Sequence, residues 1–69
     1  METFELESRK FIELNNLLKA TGLVSSGGLA KSLIADGHVK VDGNVELRKR
    51  CKIYKGVLVE YAGQQVKVV

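Results

Sequence analysis

Two hydrophobic spacings divide this chain. From Phe11 onward apolar positions recur three and four apart: Phe11, Leu14, Leu18 and Thr21, with Leu17 beside them, share one helical face. Gly22 closes that helix, because glycine accepts the left-handed conformation at a helix end. Ser25-Ser26-Gly27-Gly28 follows, and either serine suits an N-cap, since its hydroxyl can accept a bond from an early backbone N–H. Leu29, Ala30, Leu33 and Ile34 then predict a second helix, stopped by Gly37. After Gly37 the period drops to two. Val39 and Val41 alternate, Asp42-Gly43 is a hairpin turn, and Val45 and Leu47 alternate on the return. Val57 to Tyr61 predicts a further strand, Ala62-Gly63 a turn, and Gln65 to Val69 a closing strand. Thr3 to Glu7 alternates weakly and predicts a short first strand. The expected fold class is α+β, a helix-turn-helix-like pair packed on a small, bent antiparallel sheet.

Composition narrows the classes. At 69 residues the chain is expected to form one domain, 1–69, with a small core and little room for a deep, dry reaction pocket. Hydrophobic residues make up 45% of it, which argues against disorder. No proline, linker or repeat interrupts it, and no apolar run approaches the ~20 residues of a membrane helix. The acidic start, Met1-Glu2-Thr3-Phe4-Glu5-Leu6-Glu7, lacks the basic and apolar stretches of an export signal. Cys51 is the single cysteine, so an internal disulfide is excluded. A monomer in the cytoplasm, with no membrane partner, is the expectation.

The net charge of +3 is modest, but its distribution is uneven. In residues 1–13, four glutamates (Glu2, Glu5, Glu7, Glu13) face two cations (Arg9, Lys10), a net of −2. In residues 48–55, Arg48, Lys49, Arg50, Lys52 and Lys55 have no acid among them, a net of +5. Cations held on a short ribbon make a fixed electrostatic surface, and nucleic acid is the commonest polymer that takes one. Edge strands also carry lysines to discourage aggregation, but that role needs fewer charges than this cluster holds.

Other residues carry weaker signals. The helix start at Ser26 offers unpaired N–H groups suited to a phosphate, and Lys31 adds a cation one turn on. Taken alone, a plain capped turn explains the serines as well. His38 has no carboxylate or cysteine at useful spacing, so it reads as a surface residue in reach of a phosphate rather than a base or ligand. Cys51 is either a thiol activated by its basic neighbours or, as its alternation with Ile53 suggests, a small apolar residue facing the core. Phe4, Phe11, Tyr54 and Tyr61 serve either base stacking or packing, and Tyr54 beside the cluster is the open case. No metal-ligand spacing, phosphate loop or nucleophile–base pair is present in the sequence, so neither an enzyme nor a cofactor is expected.

The order Gly22, Ser25-Ser26, Ala30-Lys31, Leu33-Ile34, then Gly37-His38-Val39-Lys40-Val41-Asp42-Gly43 resembles the ribosomal protein S4-type RNA-binding domain, and more narrowly its stand-alone bacterial YbcJ-like members. The similarity covers roughly residues 11–61. It implies a helix pair against a bent sheet, and RNA binding through Ser26, Lys31, His38, Lys40, Arg48, Lys49, Arg50 and Lys52. Three positions depart from the family pattern. Gly27 stands where an arginine is frequent, Asp42 where the hairpin usually has Asn, and Gly56-Val57 where Gly-Asp commonly begins the next strand. The resemblance further implies structured RNA, ribosomal or transfer, as partner, with the ribosome or an RNA-modifying enzyme working beside it.

Two other functions compete with RNA binding. A protein-interaction module would dock an acidic partner of the ribosomal or RNA-processing machinery. DNA binding through the helix pair is poorly equipped, because Lys31 is surrounded by Leu29, Ser32 and Leu33 rather than by groups that read base edges.

Overall fold

Leu14, Leu17 and Leu18 are fully buried at the helical spacing the sequence predicts, and they anchor the core. The computed structural model describes residues 2–69. In chain order the elements are β1 (Glu2–Phe4), β2 (Ile12–Glu13), α1 (Leu14–Ala20), α2 (Gly27–Ala35), β3 (Val39–Val41), β4 (Asn44–Val45), β5 (Lys52–Ile53), β6 (Leu58–Tyr61) and β7 (Gln64–Val68). A five-stranded sheet runs β1-β7-β6-β3-β4, and β2 and β5 form a separate two-stranded ribbon. The α+β architecture agrees with the sequence expectation. One pairing in the main sheet is not antiparallel: β1 runs parallel to β7, with Phe4 opposite Val68.

The helices cover one face of the main sheet. Ala30 and Ile34 of α2 join the α1 leucines against Val39, Val59, Val66 and Val68 in one buried cluster. Because strand side chains alternate between faces, Lys40, Glu60 and Gln65 occupy the opposite face, in register across β3, β6 and β7. Truncating a fully buried leucine such as Leu17 to alanine is expected to cost about 2–5 kcal/mol.

Turn chemistry sets the register. Asp42 and Gly43 both have positive φ, 50° and 85°, the geometry that matches the twist of a two-residue hairpin. Asp42 also ties the hairpin to β6. Its N–H donates to the Leu58 carbonyl at 2.8 Å, and its carboxylate accepts the Leu58 N–H at 3.0 Å. The acid at this position therefore keeps an acceptor where one is needed. Helix α2 ends as the sequence predicts: Gly37 N–H donates to Ile34 C=O and His38 N–H to Leu33 C=O, both at 3.0 Å.

Three elements differ from expectation by more than one residue. The first helix starts at Leu14 rather than Phe11, because Ile12 and Glu13 pair with Ile53 and Lys52 before the helix begins. The first strand stops at Phe4, since Leu6 accepts a bond from Arg9 N–H and Glu7 adopts a φ of 58° in that turn. On the return from the hairpin, strand pairing ends at Val45 and Leu47 lies beyond it.

Candidate nucleic-acid interface

The basic cluster sits on a loop whose backbone is fixed by helix α1. No side chain caps that helix at Glu13. Its first N–H groups would otherwise lack partners. Leu14 N–H donates to Cys51 C=O at 2.9 Å, and Asn15 N–H to Lys49 C=O at 3.2 Å. Cys51 N–H closes the loop onto Arg48 C=O at 3.2 Å. With two of its carbonyls bonded to the helix, the loop holds Arg48, Lys49 and Arg50 at the surface, all exposed. The positive end of the helix dipole lies beneath them and adds to the same potential.

Arg48 is already engaged. Its Nε donates to Glu46 Oε2 at 2.9 Å and its Nη2 to Oε1 at 3.1 Å, a two-pronged pair, while its backbone N–H also reaches Oε2 at 3.0 Å. Those bonds hold the Glu46 carboxyl at about 2, well below its ordinary 4.5. The Glu46 side chain is 17% exposed and that of Arg48 77%, so the acid is sheltered under an open guanidinium. Counting charge from residue 48 onward stops two residues short of this acid. Among the described residues this is the one ion pair within 4.0 Å, so Lys49, Arg50 and Lys52 keep uncompensated charge.

Lys52 and Tyr54 extend the surface along the small ribbon. Ile53 turns into the core, and the flanking residues turn outward. Lys52 Nζ lies 5.0 Å from the centre of the Phe11 ring, and Phe11 meets Tyr54 at 5.8 Å with the rings tilted by 51°. Phe11, expected on the first helix, instead supports this ledge. Arg48, Arg50, Cys51, Lys52 and Tyr54 line an open cleft of about 550 Å³. Cys51 in that cleft is no activated thiol. Burial first, and the Glu46 carboxylate second, push its pKa up, while Arg48 pulls the other way.

The remaining predicted residues lie elsewhere. Ser26 is the N-cap of α2, with its Oγ accepting Leu29 N–H at 3.1 Å. Lys31 is half-buried on the same helix. The far end of α2, roughly 13 Å along its axis, meets the hairpin return: a Cβ on Gly37 would stand 3.7 Å from Val45 Cγ1 and 3.9 Å from Leu47 Cδ2. His38 and Lys40 are exposed, and with Glu60 and Tyr61 they line a shallow depression. Lys40 stands directly opposite Glu60 on the sheet face away from the helices. Lys31 and Lys40 therefore lie on different sides of the sheet, because Val39 and Val41 take its core side. Residues 48–52 and Tyr54 form a contiguous group, and Tyr54 is the member that the charge pattern alone did not assign.

Among the described residues no group of three His, Cys, Asp or Glu could hold a metal, and no helix is long and apolar enough to cross a membrane.

Comparison with known proteins adds three findings. A family model described as S4 domain matches residues 4–69. The YbcJ proteins of Escherichia coli (strain K12) and Shigella flexneri are each 54% identical over 69 residues, spanning all of this chain and 99% of theirs. The solution structure of YbcJ from E. coli, which carries an ALFAL motif involved in RNA-binding, superposes with a TM-score of 0.77 over 100% of this chain and 87% of that one.

Proposed function

This chain belongs to the S4 domain family, and from that membership and its surface we propose that it binds structured RNA, ribosomal or transfer, with no catalytic activity of its own. The observation that carries this reading is the loop pinned to α1, which presents Lys49 and Arg50 in the open beside the Glu46–Arg48 pair. Cations carried on a pinned backbone neutralise phosphates and release counterions without the loop first having to be ordered. A-form RNA closes its major groove to side chains, so a small rigid module reads backbone position and helix shape. Arg50, Lys49 and Lys52 supply the central charge. Ser26 orients a phosphate at the start of α2, with Lys31 near it. His38 and Lys40 contribute from the hairpin side. In this reading the protein works as a cytoplasmic monomer beside the ribosome or an RNA-modifying enzyme.

Binding to a labelled structured RNA across a salt series tests it. With four to five phosphates neutralised, log affinity falls against log salt with a slope of about −4. A flat salt dependence, no binding at low salt, or equal competition by duplex DNA defeats the reading. Crosslinking in cells, with Arg48→Ala/Arg50→Ala as control, then identifies the RNA. The double substitution is expected to remove most attachment and leave the fold intact, since surface charges rarely change stability by more than ~0.5 kcal/mol.

A further inference from the structure

We propose that the cleft lined by Arg48, Arg50, Cys51, Lys52 and Tyr54 takes one unpaired nucleotide turned out of an RNA helix, its base stacked on the Tyr54 ring and its phosphate held by Arg50 and Lys52. The inference rests on the RNA-binding reading and names the feature that this surface would prefer.

Three observations converge on it. Tyr54 is 50% exposed, and it lies in the same cleft as three cations. Its position is braced: Phe11 packs at a tilt against it, and Phe11 in turn sits under Lys52. A braced ring loses little freedom when a base stacks on it, whereas a loose one would have to be ordered first. The cleft, at about 550 Å³, falls within the range of sites that hold small ligands.

The chemistry matches a nucleotide rather than a phosphate alone. An anion needs only the cations. A base supplies a π-face for the phenol ring, and the phosphate attached to it reaches the charges on the cleft wall. Bases in a continuous duplex are stacked on each other and offer no free face. The partner is therefore a bulge, loop or junction. Stacking is tolerant of base identity, so the cleft selects an unpaired position without selecting its sequence.

The test compares two RNA hairpins, one fully paired and one carrying a single bulged nucleotide in the same stem. The protein is expected to bind the bulged hairpin about tenfold tighter. Tyr54→Leu keeps apolar bulk against Phe11 but removes the π-face. It should reduce the preference to within about twofold, with the loss falling mainly on the bulged hairpin, and Tyr54→Phe should retain the preference. Equal affinity of the unsubstituted protein for both hairpins overturns the proposal while RNA binding stands. So does a Tyr54→Leu variant that keeps its preference, or one that weakens both hairpins alike. Failure to bind either hairpin at low salt sinks the RNA-binding reading itself, and this proposal with it.

Discussion

Glu46 grips Arg48 with both carboxylate oxygens, and the pair stands at the start of the most basic loop in the protein. The acid takes the Nε edge of the guanidinium and so removes one of the two edges that a phosphate could use for two-pronged contact. It also fixes where the rest of that group points. Arg48 is thereby a preset, partly neutralised cation, and Arg50, two residues on, is an unpaired one. The sequence suggests equal roles for the two arginines, and the geometry separates them.

The first prediction concerns Glu46 itself. Its folded pKa is about 2 against an ordinary 4.5, because Arg48 donates to its charged form. A depressed carboxylate contributes stability that is fully present above its unfolded value and is lost as pH falls through the folded one. The contribution of this pair should therefore be constant above about 4.5 and disappear between there and about 2. It should be small, since the arginine is open to water. Carboxyl-detected NMR titration should place Glu46 near 2, and Arg48→Ala should return it toward 4.5. A Glu46 that titrates normally in the intact protein would mean that the pair does not persist in solution.

The second prediction separates the arginines by salt dependence. Arg50→Ala should weaken structured-RNA binding and reduce the salt slope by about one, as expected for a lost phosphate contact. Arg48→Ala should reduce it by less, because Glu46 already neutralises part of the Arg48 charge. Glu46→Gln should strengthen binding about two- to threefold while Arg48 is present. Isotherms of the four proteins across salt decide this, and a larger loss from Arg48→Ala than from Arg50→Ala would contradict the assignment.

Local chemistry made much of the fold readable. Gly22, Ser26, Gly37 and the Asp42-Gly43 and Ala62-Gly63 pairs act through their own backbone preferences, and each stands where the sequence places a cap or turn. The start of α1 was not readable. Phe11 fits the helical period, but its place is decided by Ile12 pairing with Ile53, a partner forty-one residues away. The parallel partner of β1 is likewise set by the far end of the chain. For the site, charge density pointed to residues 48–52, yet it could not show that Glu46 folds back on Arg48, nor that Lys40 and Lys31 part to opposite sides of the sheet. The ledge made by Phe11 and Tyr54 is similarly a product of that long-range strand pairing.

The third prediction tests the hairpin. Asp42 combines a φ of 50° with a carboxylate bond to Leu58 N–H. Asp42→Ala loses the bond and keeps the unfavourable backbone, so it should cost about 1–2 kcal/mol and lower the melting temperature by roughly 5–15 °C. Asp42→Asn retains an acceptor and tolerates the same φ, and it should change stability by less than ~0.5 kcal/mol. Thermal melts followed by circular dichroism compare the two. Equal losses would show that the charge, not the acceptor, matters here.

The fourth prediction is a gain of function at Gly27. This residue opens α2 directly after the Ser26 cap. Nothing lies within 4 Å of where its Cβ would be, and its backbone is already helical, so a side chain enters open space. Gly27→Arg should not destabilise the fold, since arginine is a better helix residue than glycine. If the start of α2 faces the RNA, the new cation adds one phosphate contact. Affinity should rise about three- to tenfold, and the salt slope should steepen by about one. Gly27→Ala is the control, expected to match arginine in stability and glycine in binding. An arginine variant that binds no better than the alanine control would place the start of α2 outside the interface and leave the loop at residues 48–52 to carry recognition without it.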